Sequence, residues 1–116
     1  NADIATGGTG TIYVSAANGT VDGAPNDGIN MASGTSTTSG GGNIRMIATG
    51  ESDILLSLVD AGAGSVSLLA ERDILDNNGG GTLNVVAATL RMVADSNSDQ
   101  DGQIGQANTK IGRAHV

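Results

Sequence analysis

The sequence predicts an all-β chain wound as a right-handed parallel β-helix, a solenoid of about twenty residues per coil. Three observations carry this. A seven-residue phrase recurs four times: "GTIYVSA" from Gly10, "GNIRMIA" from Gly42, "GSVSLLA" from Gly64 and "GTLNVVA" from Gly81. Within each copy, aliphatic residues alternate with others at the period of two that marks a strand with one buried face. The chain also holds 19 Gly and a single aromatic residue, Tyr13, so it turns often and builds its core from aliphatic side chains.

The elements follow in chain order. "DIA" at Ile4 reads as the tail of a preceding copy, and the first phrase then places Ile12 and Val14 inward. Its companion "TVD" at Val21 is followed by a Gly/Ser/Thr-rich stretch, 23–41, which contains the only Pro and shows no periodicity; it reads as a loop insertion. The second phrase supplies Ile44 and Met46, the third Val66 and Leu68, the fourth Leu83 and Val85. Each ends in Ala (Ala16, Ala48, Ala70, Ala87), as at a corner with room for a methyl only. The companions are "DILL" at Ile54, "DILD" at Ile74 and "TLRM" at Leu90, so the unit is strand, corner, strand, turn. Such a unit cannot bury a face alone and requires neighbours stacked about 4.8 Å away. The expected inward ladder therefore runs Ile12, Ile44, Val66, Leu83, with Val14, Met46, Leu68, Val85 beside it. A rival arrangement is an antiparallel β-sandwich, for which Asn18-Gly19 between alternating runs is a hairpin signal. The connections "TGES" and "AERD" lack that signal, and copies matched in phase favour the solenoid.

On these residues, "GSVSLLAERDIL" and "GNIRMIATGESDIL" above all, the chain resembles the repeats of filamentous-haemagglutinin-type proteins, the large β-helical adhesins and exoproteins of bacterial surfaces. The resemblance covers residues 1–109. It implies a non-enzymatic, extracellular or cell-surface segment: a stiff rod that presents loops, with neighbouring repeats of its own chain as packing partners and host or biofilm surface ligands as external ones. The other reading is a fragment of a β-helical polysaccharide-processing enzyme. The chain begins mid-phrase and without Met, and reads as a piece of a longer protein. Its end, "IGRAHV" (Ile111–Val116), matches the translation of a common sequencing-library adapter; with Lys110 it is set apart from the fold as 110–116.

Composition narrows the chemistry. Cys is absent, which excludes disulfides and thiolate metal sites. The only His, His115, lies in the adapter-like tail, and no Ser follows the Gly-x-Ser-x-Gly elbow pattern, so nucleophilic catalysis has no support. Leaving out Lys110 and Arg113 moves the net charge from −7 to −9, which argues against nucleic acid as a partner. No apolar run is long enough for a helical membrane span. No catalytic residue is predicted and no cofactor is required. Asp53 and Asp73 occupy one slot of successive copies. They fit either an acid–base pair on a polysaccharide-cleaving face or carboxylates that cap the corner by accepting backbone N–H groups. Arg45, Arg72 and Arg91 are expected as surface partners of the acids rather than a basic stripe. Ile47, Leu69 and Val86 share an outward slot and form either a ridge for a partner or a strip covered by the 23–41 segment. A weak calcium site is the one cofactor candidate. Asp95, Asn97, Asp99, Asp101 and Gln103 alternate as oxygen donors, and Gly102 supplies a sharp turn. Asn108 stands where such loops carry a bidentate Glu, so binding at ~0.1–1 mM requires a further ligand from a neighbouring coil; otherwise the stretch is a polar turn.

Overall fold

A computed structural model of the chain describes residues 2–17, 28–79, 82–99 and 102–105, and the backbone of 114–115. The strands are β1 (Ile4–Thr6), β2 (Ile12–Ala17), β3 (Gly28–Asn30), β4 (Ser36–Ser39), β5 (Ile44–Thr49), β6 (Asp53–Leu56), β7 (Leu58–Asp60), β8 (Ser65–Ala70), β9 (Ile74–Asp76), β10 (Val85–Val86), β11 (Thr89–Val93) and β12 (Ala114–His115). They form three all-parallel sheets: a first of order β1-β4-β7-β10-β12, a second of order β2-β5-β8-β11 and a third of order β3-β6-β9. The chain visits the sheets in rotation, which is a parallel β-helix with three strands per coil instead of the expected two. The antiparallel sandwich is excluded, since every described pairing is parallel. The Asn18-Gly19 signal and the "TVD" phrase lie outside the described residues.

The second sheet follows from the recurring phrase. Ile12 pairs with Ile44 and Ile44 with Val66; Val14 pairs with Met46 and Met46 with Leu68. Alternation turns these side chains inward, and Ile44, Met46, Val66 and Leu68 are at most 1 % exposed. Each buried aliphatic side chain contributes about 1.5–3 kcal/mol, so the stack holds together without aromatic residues. Ala48 and Ala70 form the third inward column at full burial, where the strand turns towards the third sheet.

The fourth phrase is not the fourth rung. Leu90 pairs with Val66 and Met92 with Leu68, so "TLRM" completes the second sheet, while Leu83 is 36 % exposed and Val85 pairs with Val59 in the first sheet. Both "GTLNVVA" and "ATLRMVA" satisfy the alternation; the first also carries the initial Gly, which is why it matches the pattern. Chain length decides between them. Turning through three sheets takes 22 residues from Ile44 to Val66 and 24 from Val66 to Leu90. The 17 residues from Val66 to Leu83 fall short of this. The initial Gly matters at two corners: a Cβ at Gly42 would lie 2.2 Å from the Gly10 carbonyl oxygen, and one at Gly64 2.3 Å from that of Gly42.

Segment 23–41 contains two strands in its described part. β3 starts the third sheet, where Ile29 pairs with Ile54, and β4 joins the first, where Thr37 lies between Ile4 and Val59. β4 reads STTS and buries Thr37 and Ser39, so its inward face carries no aliphatic signal. "DILL" and "DILD" pair as expected, Ile54 with Ile74. Ile104 adds the next rung through a bridge to Ile74. In the tail, β12 pairs with Val85–Val86 as the outermost strand of the first sheet.

Candidate functional site

Asp53 and Asp73 are brought together on successive coils, at the corner where the second sheet gives way to the third. Asp53, 1 % exposed, accepts the Asp73 backbone N–H at 3.0 Å; Asp73, 6 % exposed, accepts that of Gln103 at 2.9 Å. The carboxylates therefore form a ladder running one coil ahead. The Arg72 guanidinium stands 4.0 Å from Asp53. Burial raises the Asp73 pKa above its ordinary value; the Gln103 N–H opposes this, the Asp53 charge adds to it and Arg72 offsets part of it. Both groups are enclosed and aimed at backbone, a geometry suited to fastening coils together.

The corner continues into the predicted calcium residues. Asp95 takes a left-handed backbone conformation (φ 55°), with its N–H on the Arg72 carbonyl and its own carbonyl accepting the Ser98 N–H. The Asn97 amide nitrogen donates to Glu51 Oε1 and Asp99 Oδ2, both at 2.9 Å. Glu71, on the coil between, accepts the Gly50 and Glu51 N–H groups at 2.6 and 3.0 Å. Gln103 contributes its backbone N–H to Asp73, and Asp101 lies outside the described residues. Thus Asn97 and Asp99 converge, and the further carboxylate beside them is Glu51, two coils back. Nothing in the sequence marks this neighbour, since Glu51 and Asn97 stand 46 positions apart. The amide nitrogen between the carboxylates does the work of a neutral bridge. A cation in its place would require the amide to rotate so that Oδ1 faces the ion.

The outer face of the second sheet carries two columns, Tyr13–Arg45–Ser67–Arg91 and Ser15–Ile47–Leu69–Val93. Arg45 and Arg91 share a column, whereas Arg72 belongs to the corner. Val86 is not in the ridge with Ile47 and Leu69. It pairs with Asp60 in the first sheet, and Val93 takes its place. All three ridge residues are partly buried.

Two concavities lie among the described residues. An outer groove of about 560 Å3 crosses the first sheet, with Leu58, Leu83 and Val86 as its apolar lining and Ser36, Asp60 and Asn78 among its polar groups. Asp60 accepts the Gly62 N–H at 2.8 Å, and Asn78 donates to the Leu83 carbonyl at 3.2 Å. A second cavity of about 350 Å3 opens over the inward residues of the first coil, including Val14, Ala16, Ile29 and Met31. Asn84 was missed by sequence reasoning. It is fully buried, and its amide nitrogen reaches the Leu56 and Ser57 carbonyls, Asp76 Oδ1 and Asn78 Oδ1 at 3.0–3.4 Å. Set in "TLNVV", it looks like an outward polar residue of a strand.

Among the described residues no helix is long and apolar enough to cross a membrane. Comparison with protein-family models, curated proteins and solved structures finds no match to the chain.

Proposed function

We propose that this chain is a structural repeat segment of a large bacterial surface or secreted protein, serving as part of an adhesive, rod-like stalk that presents loops outside the cell. One observation carries this reading: three parallel ladders run through the coils, and the polar side chains at the corners are turned onto the backbone of the adjacent coil rather than towards a cleft. Five rungs of the first sheet span only about 19 Å, so length comes from adding coils, each extending the stack by about 4.8 Å.

The competing reading, a polysaccharide-processing enzyme, needs two carboxyl groups facing one substrate. Among the described residues the outer groove contains a single one, Asp60, and no aromatic platform. The deciding experiment displays the chain, in tandem copies, on a non-adherent bacterium. Retention on host-cell layers or on preformed biofilm should rise above the empty display scaffold, and stalk length should grow with copy number. In parallel, purified chain is incubated with neutral and acidic polysaccharides while reducing ends are measured. Sugar release that disappears in Asp60→Asn, with retention equal to the scaffold, replaces the stalk reading with the enzymatic one.

A further inference from the structure

The groove of about 560 Å3 on the outer face of the first sheet has walls that a plain rod does not need. Residues 76–79 and 82–84 form one wall, pinned at both ends. At one end the Asn77 amide nitrogen donates to the Met31 carbonyl at 2.8 Å, and at the other buried Asn84 holds the Leu56 and Ser57 carbonyls. The opposite wall is the turn at 32–35, where the Thr35 N–H and hydroxyl donate to the Ala32 carbonyl at 3.1 and 2.7 Å. Walls fixed in this way need little reordering on binding.

The floor is chemically divided. Leu58 and Asp60 stand two residues apart on β7, so both side chains leave the same face of the strand, about 7 Å apart. Ser36 lies beside Leu58, and Val86 lies beside Asp60. Leu83, 36 % exposed, joins Leu58 and Val86 as apolar lining. Asp60 Oδ1 accepts the Gly62 N–H at 2.8 Å, and a carboxylate has acceptor capacity beyond one bond. The surrounding charge has the same sign. Asp3 accepts the Ser36 N–H at 2.7 Å and Asp76 that of Asn78 at 2.9 Å, so each adjoins a lining residue. The basic residues among those described, Arg45, Arg72 and Arg91, belong to the second sheet and its corner.

We propose that this groove is a binding site for an extended basic peptide segment. An aliphatic side chain seats against Leu58, Leu83 and Val86, and a Lys or Arg two positions away pairs with Asp60. The spacing is that of the floor itself, because side chains two apart on an extended chain share a face. β7 is already paired on both edges, so the peptide lies on the face of the sheet and is recognised through its side chains. A net charge of −7 draws a cationic partner towards the site. A polyamine or an amino sugar supplies the charge without the aliphatic side chain that the apolar lining fits. The inference concerns one lateral face of the coils and does not depend on the stalk reading.

The test titrates the isotope-labelled full chain with the end-blocked peptide Gly-Leu-Ser-Lys-Gly, followed by nuclear magnetic resonance. The amide signals of Ser36, Leu58, Asp60 and Val86 should shift together and saturate. The isomer Gly-Leu-Lys-Ser-Gly, whose two side chains point to opposite faces, should bind about fivefold more weakly. Asp60→Asn keeps an acceptor for the Gly62 N–H, and Leu83→Ser alters an exposed position; both should fold as the wild type does by circular dichroism. Each should weaken binding about fivefold, and added salt should weaken the wild-type response more than that of Asp60→Asn. Equal binding of the two isomers, or equal binding by wild type and Asp60→Asn, overturns the proposal. A stronger saturable response to spermidine or to glucosamine oligomers overturns the peptide assignment in favour of that class. Absence of shifts at these residues with every probe overturns the site. Because the readout is binding by the isolated chain, its failure is distinct from a failure of cell retention.

Discussion

The second and first sheets belong to the same coils and are built on different chemistry. The second carries Ile, Val, Leu and Met at its inward positions in every rung, with Ala at its end. The first turns inward Ile4, Thr37, Val59 and Val85, and the Thr rung adjoins a buried Ser39 whose hydroxyl donates to the Gly42 carbonyl at 2.8 Å. One sheet is held by the volume it removes from water. The other, with its corners, relies on satisfying backbone groups that the turns leave unpaired. The lesson is that a solenoid accommodates a polar Thr rung in one sheet when the other two, the second and the Ile29–Ile54–Ile74 ladder of the third, keep their aliphatic regularity.

The sharpest way to break this contrast is a buried charge in the second sheet. Leu68→Asp should abolish the cooperative unfolding transition seen by circular dichroism, since an unpaired buried carboxylate costs several kcal/mol. Ile4→Asp, at the exposed end of the first sheet, should leave the transition in place. If both variants fold equally well, the second sheet is not the principal core.

The polar side predicts a smaller loss. Asn84→Ala leaves two carbonyls and two side-chain oxygens without their shared donor, and should lower stability by about 1–3 kcal/mol in urea denaturation. An unchanged midpoint would mean that water replaces the amide and that the corner is not a packed element.

The Asp53–Asp73 ladder tests the corners through pH. Because Asp73 is raised above 3.8, the folded chain holds its proton more readily than the unfolded chain. Between 3.8 and the raised value, the unfolded state binds fewer protons, so stability falls as pH rises through that window. Asp73→Asn keeps an acceptor for the Gln103 N–H and removes the titration. The difference in melting temperature, wild type minus variant, should therefore decrease from pH 3.5 to pH 7. A difference that increases over this range would show that the charged form is the one the fold favours.

The smallest effect concerns the outer rim of the same corner. Calcium at millimolar concentration should raise the melting temperature slightly, through Glu51, Asp99 and a rotated Asn97 amide, and Asp99→Asn should remove the response. A flat titration leaves Asn97 as a neutral bridge between two carboxylates.

Much of this was legible in the sequence, and for identifiable reasons. Ile44, Val66, Met46 and Leu68 announce themselves because one buried face imposes alternation, and a stack of coils imposes it again at each turn. Asp53 and Asp73 could be matched for the same reason, although "DI" before a strand does not say which backbone N–H each carboxylate will meet. The fourth rung was misplaced because Leu83 and Leu90 offer the same local pattern; they differ only in how much chain is needed to go around. β3 and β4 were hidden in 23–41 because Thr37 and Ser39 are buried without being apolar. Glu51 was invisible as a neighbour of Asn97, since that contact joins residues 46 positions apart.

By itself, then, the sequence determined that the chain is a parallel stack of coils with an aliphatic second sheet, because repeated period-two burial is a local property written into each copy. Only the tertiary structure decided that each coil has three strands, that "ATLRMVA" and not "GTLNVVA" closes the second sheet, and that buried Asn84 and the aspartate ladder fasten the corners. Those outcomes depend on coil circumference and on which backbone groups are left unpaired at each turn, quantities that exist only once the coils have closed upon one another.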